Sequence, residues 1–257
     1  MEALRRRCEH ELLGYTVKPP AFFEAIRGWV GRRHGWQVET DQIGFAPGIV
    51  PGISSAIQCF TGPGDRIMIQ PPVYHPFAMI IRENGREIVN NPLVLENGRY
   101  RMDFEHMRKA VRGCGMFILC NPHNPAGRVW SREELEKIAD ICLRNGVFVV
   151  ADEIHCELVY PGHRYTPFAS LSGEALLHSV TCISPSKAFN LAGIQIANIV
   201  AADEEVRKKI DRAINVNEVC DVNSFAVDAL VAAYGEGEEW LEELKRYLYG
   251  NYETVRE

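Results

Sequence analysis

Val147-Phe148-Val149-Val150-Ala151-Asp152-Glu153-Ile154-His155 is the stretch that decides the fold. Its first five residues are an unbroken apolar run, as expected for a strand covered on both faces. The run ends in charged residues, where a buried strand emerges at a sheet edge. Just upstream, Ser131-Arg132-Glu133-Glu134 reads as a helix start, with Ser131 as N-cap and Glu134 reaching back. That helix is expected to run to Arg144, where Asn145-Gly146 closes it. Further out the alternation repeats. Strands are expected over 66–70, 87–89, 116–120, 180–183 and 194–201. Helices are expected over 21–33, 53–60, 76–83, 102–111, 203–214, 224–234 and 238–252. Apolar strands alternating with helices imply an α/β domain with a mainly parallel sheet sandwiched by helices. Ligands of such sheets bind beyond the carboxyl ends of the strands. Asn124, Asp152 and Lys187 all follow such ends.

The chain has 257 residues, enough to bury a large core, and is 46% apolar and 24% charged. A net charge of −6 without a long basic run argues against a nucleic-acid partner and against an anionic membrane surface. No apolar run approaches the ~20 residues needed to span a bilayer. Met1 to Cys8 holds three arginines with no apolar stretch behind them, so it reads as a helix entered part-way along and not as a secretory signal. Eight cysteines, including Cys220, form no C-x-x-C pair. A disulfide framework or a metal site is not expected, and a reducing cytoplasm fits them.

Five motifs carry the chemistry. Pro51-Gly52-Ile53-Ser54-Ser55 opens a helix whose free N–H groups make a candidate phosphate cradle; a plain capped helix start reads the same way. In Pro71-Pro72-Val73-Tyr74-His75-Pro76, Tyr74 either stacks on a flat heterocycle or fills the core. In Asn121-Pro122-His123-Asn124-Pro125, Asn124 either donates to a ligand oxygen or forms an Asx turn. His155, three residues after Asp152, reaches the same cavity or serves structure alone. In Ser184-Pro185-Ser186-Lys187-Ala188-Phe189-Asn190, a lysine lies among small hydroxyl residues. Such a lysine holds pyridoxal phosphate as a Schiff base, with hydroxyls for the phosphate. An aspartate such as Asp152 pairs with the pyridinium nitrogen and keeps the ring able to accept electrons.

In this order the motifs resemble fold-type I pyridoxal-phosphate enzymes of the aminotransferase superfamily. Phe45-Ala46-Pro47-Gly48-Ile49-Val50-Pro51-Gly52, Val73-Tyr74-His75-Pro76-Phe77 and Asp152-Glu153-Ile154-His155 resemble more narrowly the MalY/PatB-type cystathionine β-lyases. The resemblance implies an aspartate aminotransferase-like large domain over 18–257, preceded by a partial N-terminal segment over 1–17. It also implies a C-terminal small domain that is largely absent, with the last helix leading toward it. It implies Lys187 as the catalytic lysine and Asp152 at the pyridine nitrogen. Asn124 would contact the phenolic oxygen, His155 would stand beside it, and Tyr74 would lie on the ring. Ile53, Ser54, Ser184 and Ser186 would surround the phosphate, and Tyr15 would reach the partner subunit's phosphate in a homodimer. The implied activity is carbon–sulfur β-elimination on a sulfur amino acid such as L-cystathionine. An aminotransferase of the same fold and a non-catalytic binding protein are the alternatives. Two positions depart from the pattern. Gln195 stands where many aminotransferases have a phosphate-binding arginine, and Ala188 where the lyases usually have threonine.

Overall fold

The computed structural model describes residues 1–216, 218–219 and 221–256; Cys220 and residue 257 lie outside them. The strands are β1 (Ile43–Ala46), β2 (Arg66–Ile69), β3 (Glu87–Asn90), β4 (Val94–Glu96), β5 (Arg99–Arg101), β6 (Cys114–Cys120), β7 (Phe148–Asp152), β8 (Ser179–Ile183) and β9 (Ala197–Val200). The helices are α1 (Glu2–Glu9), α2 (Pro20–His34), α3 (Ile49–Phe60), α4 (Pro76–Glu83), α5 (Phe104–Ala110), α6 (Arg132–Arg144), α7 (Gly173–Leu177), α8 (Glu204–Asn215), α9 (Ala226–Glu236) and α10 (Glu238–Arg256).

Seven strands form one sheet in the order β1-β9-β8-β7-β6-β2-β3. From β3 to β8 neighbouring strands are parallel, while β9 runs antiparallel to both β8 and β1. β7 lies in the middle, so both its faces are covered. Val150 packs with Ile53 and Ile57 of α3 and Ile80 and Ile81 of α4 on one side. Val149 and Ala151 pack with Leu135, Ile138 and Ile141 of α6 on the other. Farther along that second face, Phe22, Ile26 and Trp29 of α2 meet Leu230 and Tyr234 of α9 over Ile183 and Val200. Each fully buried Val or Ile contributes about 1.5–3 kcal/mol, which is why the unbroken apolar run belongs at the sheet centre.

The expected capping box of α6 is formed: Ser131 Oγ accepts from Glu134 N–H at 3.2 Å, and Glu134 Oε2 accepts from Ser131 N–H at 2.8 Å. The expected mainly parallel sheet and flanking helices are present. Three differences are local. β4 and β5 form a two-stranded hairpin of three-residue strands, too short and too exposed to leave an alternating pattern. β1 is a four-residue edge strand held by non-local pairing to β9. The strand expected over 194–201 begins only at Ala197, because Ala192–Ile194 forms a short 3-10 turn and Gln195 takes a left-handed φ of 54°.

One difference bears on the site. α3 begins at Ile49 with Gly48 as N-cap, a turn earlier than the expected start around Gly52. Pro51 therefore lies inside the first turn, where its missing N–H costs nothing. Gly52 still serves a close approach, but to the sheet. A Cβ there would come within 2.9 Å of Ile199 Cδ1 and 3.2 Å of Ala46 Cβ. Among the described residues no helix is long and apolar enough to cross a membrane.

Candidate active site

The carboxyl ends of β6, β7 and β8 and the start of α3 enclose a cleft of about 240 Å³, just below the ~300 Å³ at which drug-sized ligand sites begin. Each wall comes from a separate motif. The loop after β6 brings Asn124, β7 and its following turn bring Asp152 and His155, and the turn after β8 brings Ser186 and Lys187. Tyr74 enters from the segment before α4, where Pro76 starts the helix. Gly48, Ile49 and Val50 of the α3 N-terminus line the same cleft, as does Gln195.

Asp152 is 4% exposed, and its Oδ1 accepts a hydrogen bond from Ile154 N–H at 3.1 Å. Burial pushes its carboxyl up to about 7, although that bond and the Lys187 charge pull the other way. No ion pair to Asp152 occurs among the described residues. Burial, with the nearby Lys187 charge, holds the His155 imidazole below its ordinary value, so it is neutral near pH 7. In the turn after β8, Lys187 is exposed between the buried Ser186 and Ala188.

That turn is held by Ser184. Its hydroxyl donates to the Ile196 carbonyl at 2.6 Å and accepts from Ser186 N–H at 3.0 Å. The loop after β6 is tied to the Tyr74 segment by His123. Burial lowers its imidazole and keeps it neutral, so Nε2–H donates to the Pro72 carbonyl at 2.9 Å. Trp130 packs edge-on against that ring and donates its indole N–H to the Cys120 carbonyl at 3.0 Å.

Of the residues expected in the site, Lys187, Asp152, Asn124, His155, Tyr74 and Ser186 line one cleft. Three do not. Ile53 is fully buried in the core between α3 and the sheet. The Ser54 hydroxyl accepts from Asn84 Nδ2 at 3.0 Å, toward α4. Ser184 has both sides of its hydroxyl engaged within its own loop. At the helix start itself, Gly48, Ile49 and Val50 line the cleft, and such N-terminal N–H groups can meet an anion. Pro51 was the available signal, since proline favours the first turn of a helix over its interior. Tyr15 is 99% exposed and does not line this cleft.

Comparison with known proteins gives the same architecture. The chain is 46% identical over 252 residues to the cystathionine beta-lyase PatB of Bacillus subtilis, covering 97% of this chain and 65% of that protein. It superposes on cystalysin from Treponema denticola, whose structure contains a pyridoxal 5'-phosphate cofactor, with a TM-score of 0.96 at 32% identity, over 99% of this chain and 65% of that one. A pyridoxal-phosphate-bound C-S lyase from Staphylococcus hominis gives a TM-score of 0.92 at 34% identity, over 99% and 65%. The chain thus spans just under two thirds of the length of these relatives. The family model for aminotransferase class I and II matches residues 4–257, and the chain belongs to that family.

Proposed function

We propose that this chain forms the cofactor-binding large domain of a pyridoxal-phosphate-dependent C–S β-lyase acting on a sulfur amino acid such as L-cystathionine. The reaction would consume one water and release a thiol, pyruvate and ammonia. The observation that carries this reading is Asp152. A carboxyl buried this deeply, holding one backbone N–H and facing a cleft it shares with a lysine, is costly unless a cationic donor pairs with it. The protonated ring nitrogen of pyridoxal phosphate fits that requirement, and the helix start at Gly48 fits its phosphate. The similarity to PatB and to the C-S lyases supports the choice of lyase within the family.

Pyridoxal phosphate, when bound, supplies an electron-accepting ring that stabilises negative charge at the substrate Cα. The protein's own groups do the rest. Lys187 Nζ would hold the cofactor and would take the α-proton of the substrate. The Asp152 carboxylate holds the proton on the ring nitrogen. The Asn124 amide donates to the phenolic oxygen, the Tyr74 ring covers one face, and neutral His155 adds no further charge beside Lys187. Ile49 and Val50 N–H groups, Ser186 and Gln195 hold the phosphate, with no arginine at 195. We extend the reading to a homodimer in which Tyr15 serves the partner subunit's phosphate, to a division at 17/18 between N-terminal segment and large domain, and to a reducing cytoplasm. The seven cysteines described are all free, which accords with the last point.

The test is product analysis. The purified chain, given pyridoxal phosphate and L-cystathionine with no amino acceptor, is expected to release thiol and pyruvate in equal amounts. Borohydride reduction followed by peptide mapping should place the cofactor on Lys187. Turnover that requires an added 2-oxo acid and yields no pyruvate would establish the aminotransferase instead.

A further inference from the structure

Glu153 follows Asp152 directly but turns to the opposite side of the sheet, where it is fully buried. Its Oε1 accepts from Phe168 N–H at 2.9 Å and from Asn121 Nδ2 at 3.2 Å, and its Oε2 pairs with the Tyr165 hydroxyl. Asn121 Nδ2 also donates to the Thr166 carbonyl at 3.1 Å, which uses both amide hydrogens and fixes which way the amide faces. The backbone N–H of the same asparagine donates to the Asp152 carbonyl at 2.9 Å. One residue at the end of β6 therefore holds two consecutive residues of β7. On the other side, Glu153 N–H donates to the Cys182 carbonyl of β8 at 2.9 Å. A neutral glutamine could accept from Phe168 N–H and Asn121 Nδ2 as well, whereas an apolar side chain would strand these buried donors. Fastening the loop alone does not call for an acid.

We propose that Glu153 is a positioning residue for the carboxylate that faces the cofactor: anchored on Asn121, Tyr165 and Phe168, it fixes the end of β7 so that Asp152 is presented to the cleft. This rests on the cofactor reading above for its purpose, but on the hydrogen bonds alone for its geometry.

Burial pushes the Glu153 carboxyl up to about 7, against the pull of its three donors, and the Asp152 charge adds to the rise. Such coupling is reciprocal, so a charged Glu153 raises the proton affinity of Asp152 by the same amount. Tyr165, Cys156 and Cys182 are each pushed well above their ordinary values by burial, with Glu153 contributing, and stay neutral across pH 5–8. His34 of α2 lies edge-on to Tyr165 at 4.8 Å but is bonded to Glu157 Oε1 at 2.7 Å. Lys187 faces Asp152 across the cleft and favours its charged form.

The experiment is a carboxyl-carbon NMR titration of the full chain without cofactor. The Asp152→Asn and Glu153→Gln variants identify the two signals. Glu153→Gln keeps the shape and most of the hydrogen bonds and removes the charge. The expected result is a fall in the Asp152 midpoint on the order of one pH unit. A folded Glu153→Gln variant with an unmoved Asp152 midpoint overturns the proposal, because a purely structural glutamate would leave it there. Should that variant fail to fold, Tyr165→Phe removes one donor and keeps the carboxyl. The Glu153 midpoint should then rise and the Asp152 midpoint fall, and an unmoved Asp152 midpoint again overturns the proposal. Since no cofactor is present, coupled titrations in a chain that releases no thiol from cystathionine support the positioning role and sink the lyase reading.

Discussion

Asp152 and Glu153 are consecutive residues, both buried, both with carboxyls pushed up to about 7, and they face opposite sides of one sheet. Glu153 is met by three donors from two different segments. Asp152 is met by a single backbone N–H and faces a cleft. Buried polar groups in folded chains are ordinarily satisfied. A carboxyl left short of partners at the rim of a cleft is therefore the one whose partner arrives from outside. The same division runs along α3. Its first turn, Ile49 and Val50, lines the cleft. Its next residues, Gly52 and Ile53, are sealed against β1 and β9. In both places, function and packing are separated by one or two residues, because strand and helix geometry turn successive side chains to different sides.

The strongest way to break this comparison is Asp152→Asn. It is expected to lower turnover by on the order of 10²-fold or more, since the amide cannot hold the ring proton. The cofactor-free variant should be more stable than the parent at pH 8, because a buried charge is gone. Steady-state kinetics and thermal melts measured side by side check both signs. A loss of both activity and stability would place Asp152 with the structural residues.

A smaller effect concerns pH. An unfolded aspartate releases its proton near pH 3.8 and an unfolded glutamate near 4.5, whereas both folded carboxyls hold theirs to about 7. Between these values the folded chain binds more protons than the unfolded one. The Asp152 and Glu153 share of the cofactor-free chain's stability therefore falls as pH rises from about 4 to about 7 and levels off above, while the lowered His123 and His155 act in the opposite sense. Adding pyridoxal phosphate should flatten the Asp152 share and leave the Glu153 share. Urea unfolding of the parent and of an Asp152→Asn, Glu153→Gln double variant at pH 5 and pH 8 is the measurement, and a variant that loses as much stability between the two as the parent would contradict it.

The smallest effect sharpens the comparison within α3. Gly52→Ala pushes a methyl to 2.9 Å from Ile199 Cδ1 and 3.2 Å from Ala46 Cβ. Overpacking of this kind costs about 1–3 kcal/mol, offset by up to ~1 kcal/mol of helix propensity. The melting temperature should drop by a few degrees with cofactor affinity unchanged. A large loss of affinity would mean that Gly52 itself approaches the phosphate.

Much of this was readable along the chain. The apolar run Val147 to Ala151 defined the central strand, Ser131 and Glu134 defined the start of α6, and Pro76 to Glu83 gave α4 to the residue. The cleft-lining roles of Lys187, Asp152, Asn124, His155, Tyr74 and Ser186 were legible because each lies just past a strand or before a helix, where α/β sheets gather ligands. Ile53, Ser54 and Ser184 do not line the cleft, because a motif states which residues are near a site and not which way each side chain turns. Strand alternation turns Glu153 away from Asp152, but its network with Tyr165 and Asn121 joins residues up to 32 positions apart and leaves no local signal.

Sequence alone determined the alternation of strands and helices, the caps and the chemical inventory of the site, since these follow from local periodicity and residue type. The tertiary structure decided the helix start that lines the cleft, the antiparallel turn of β9, and the orientation of each polar group at the strand ends. Those depend on which distant segments meet, and on the cost of burying a polar atom without a partner, a cost incurred only once the chain has closed around it.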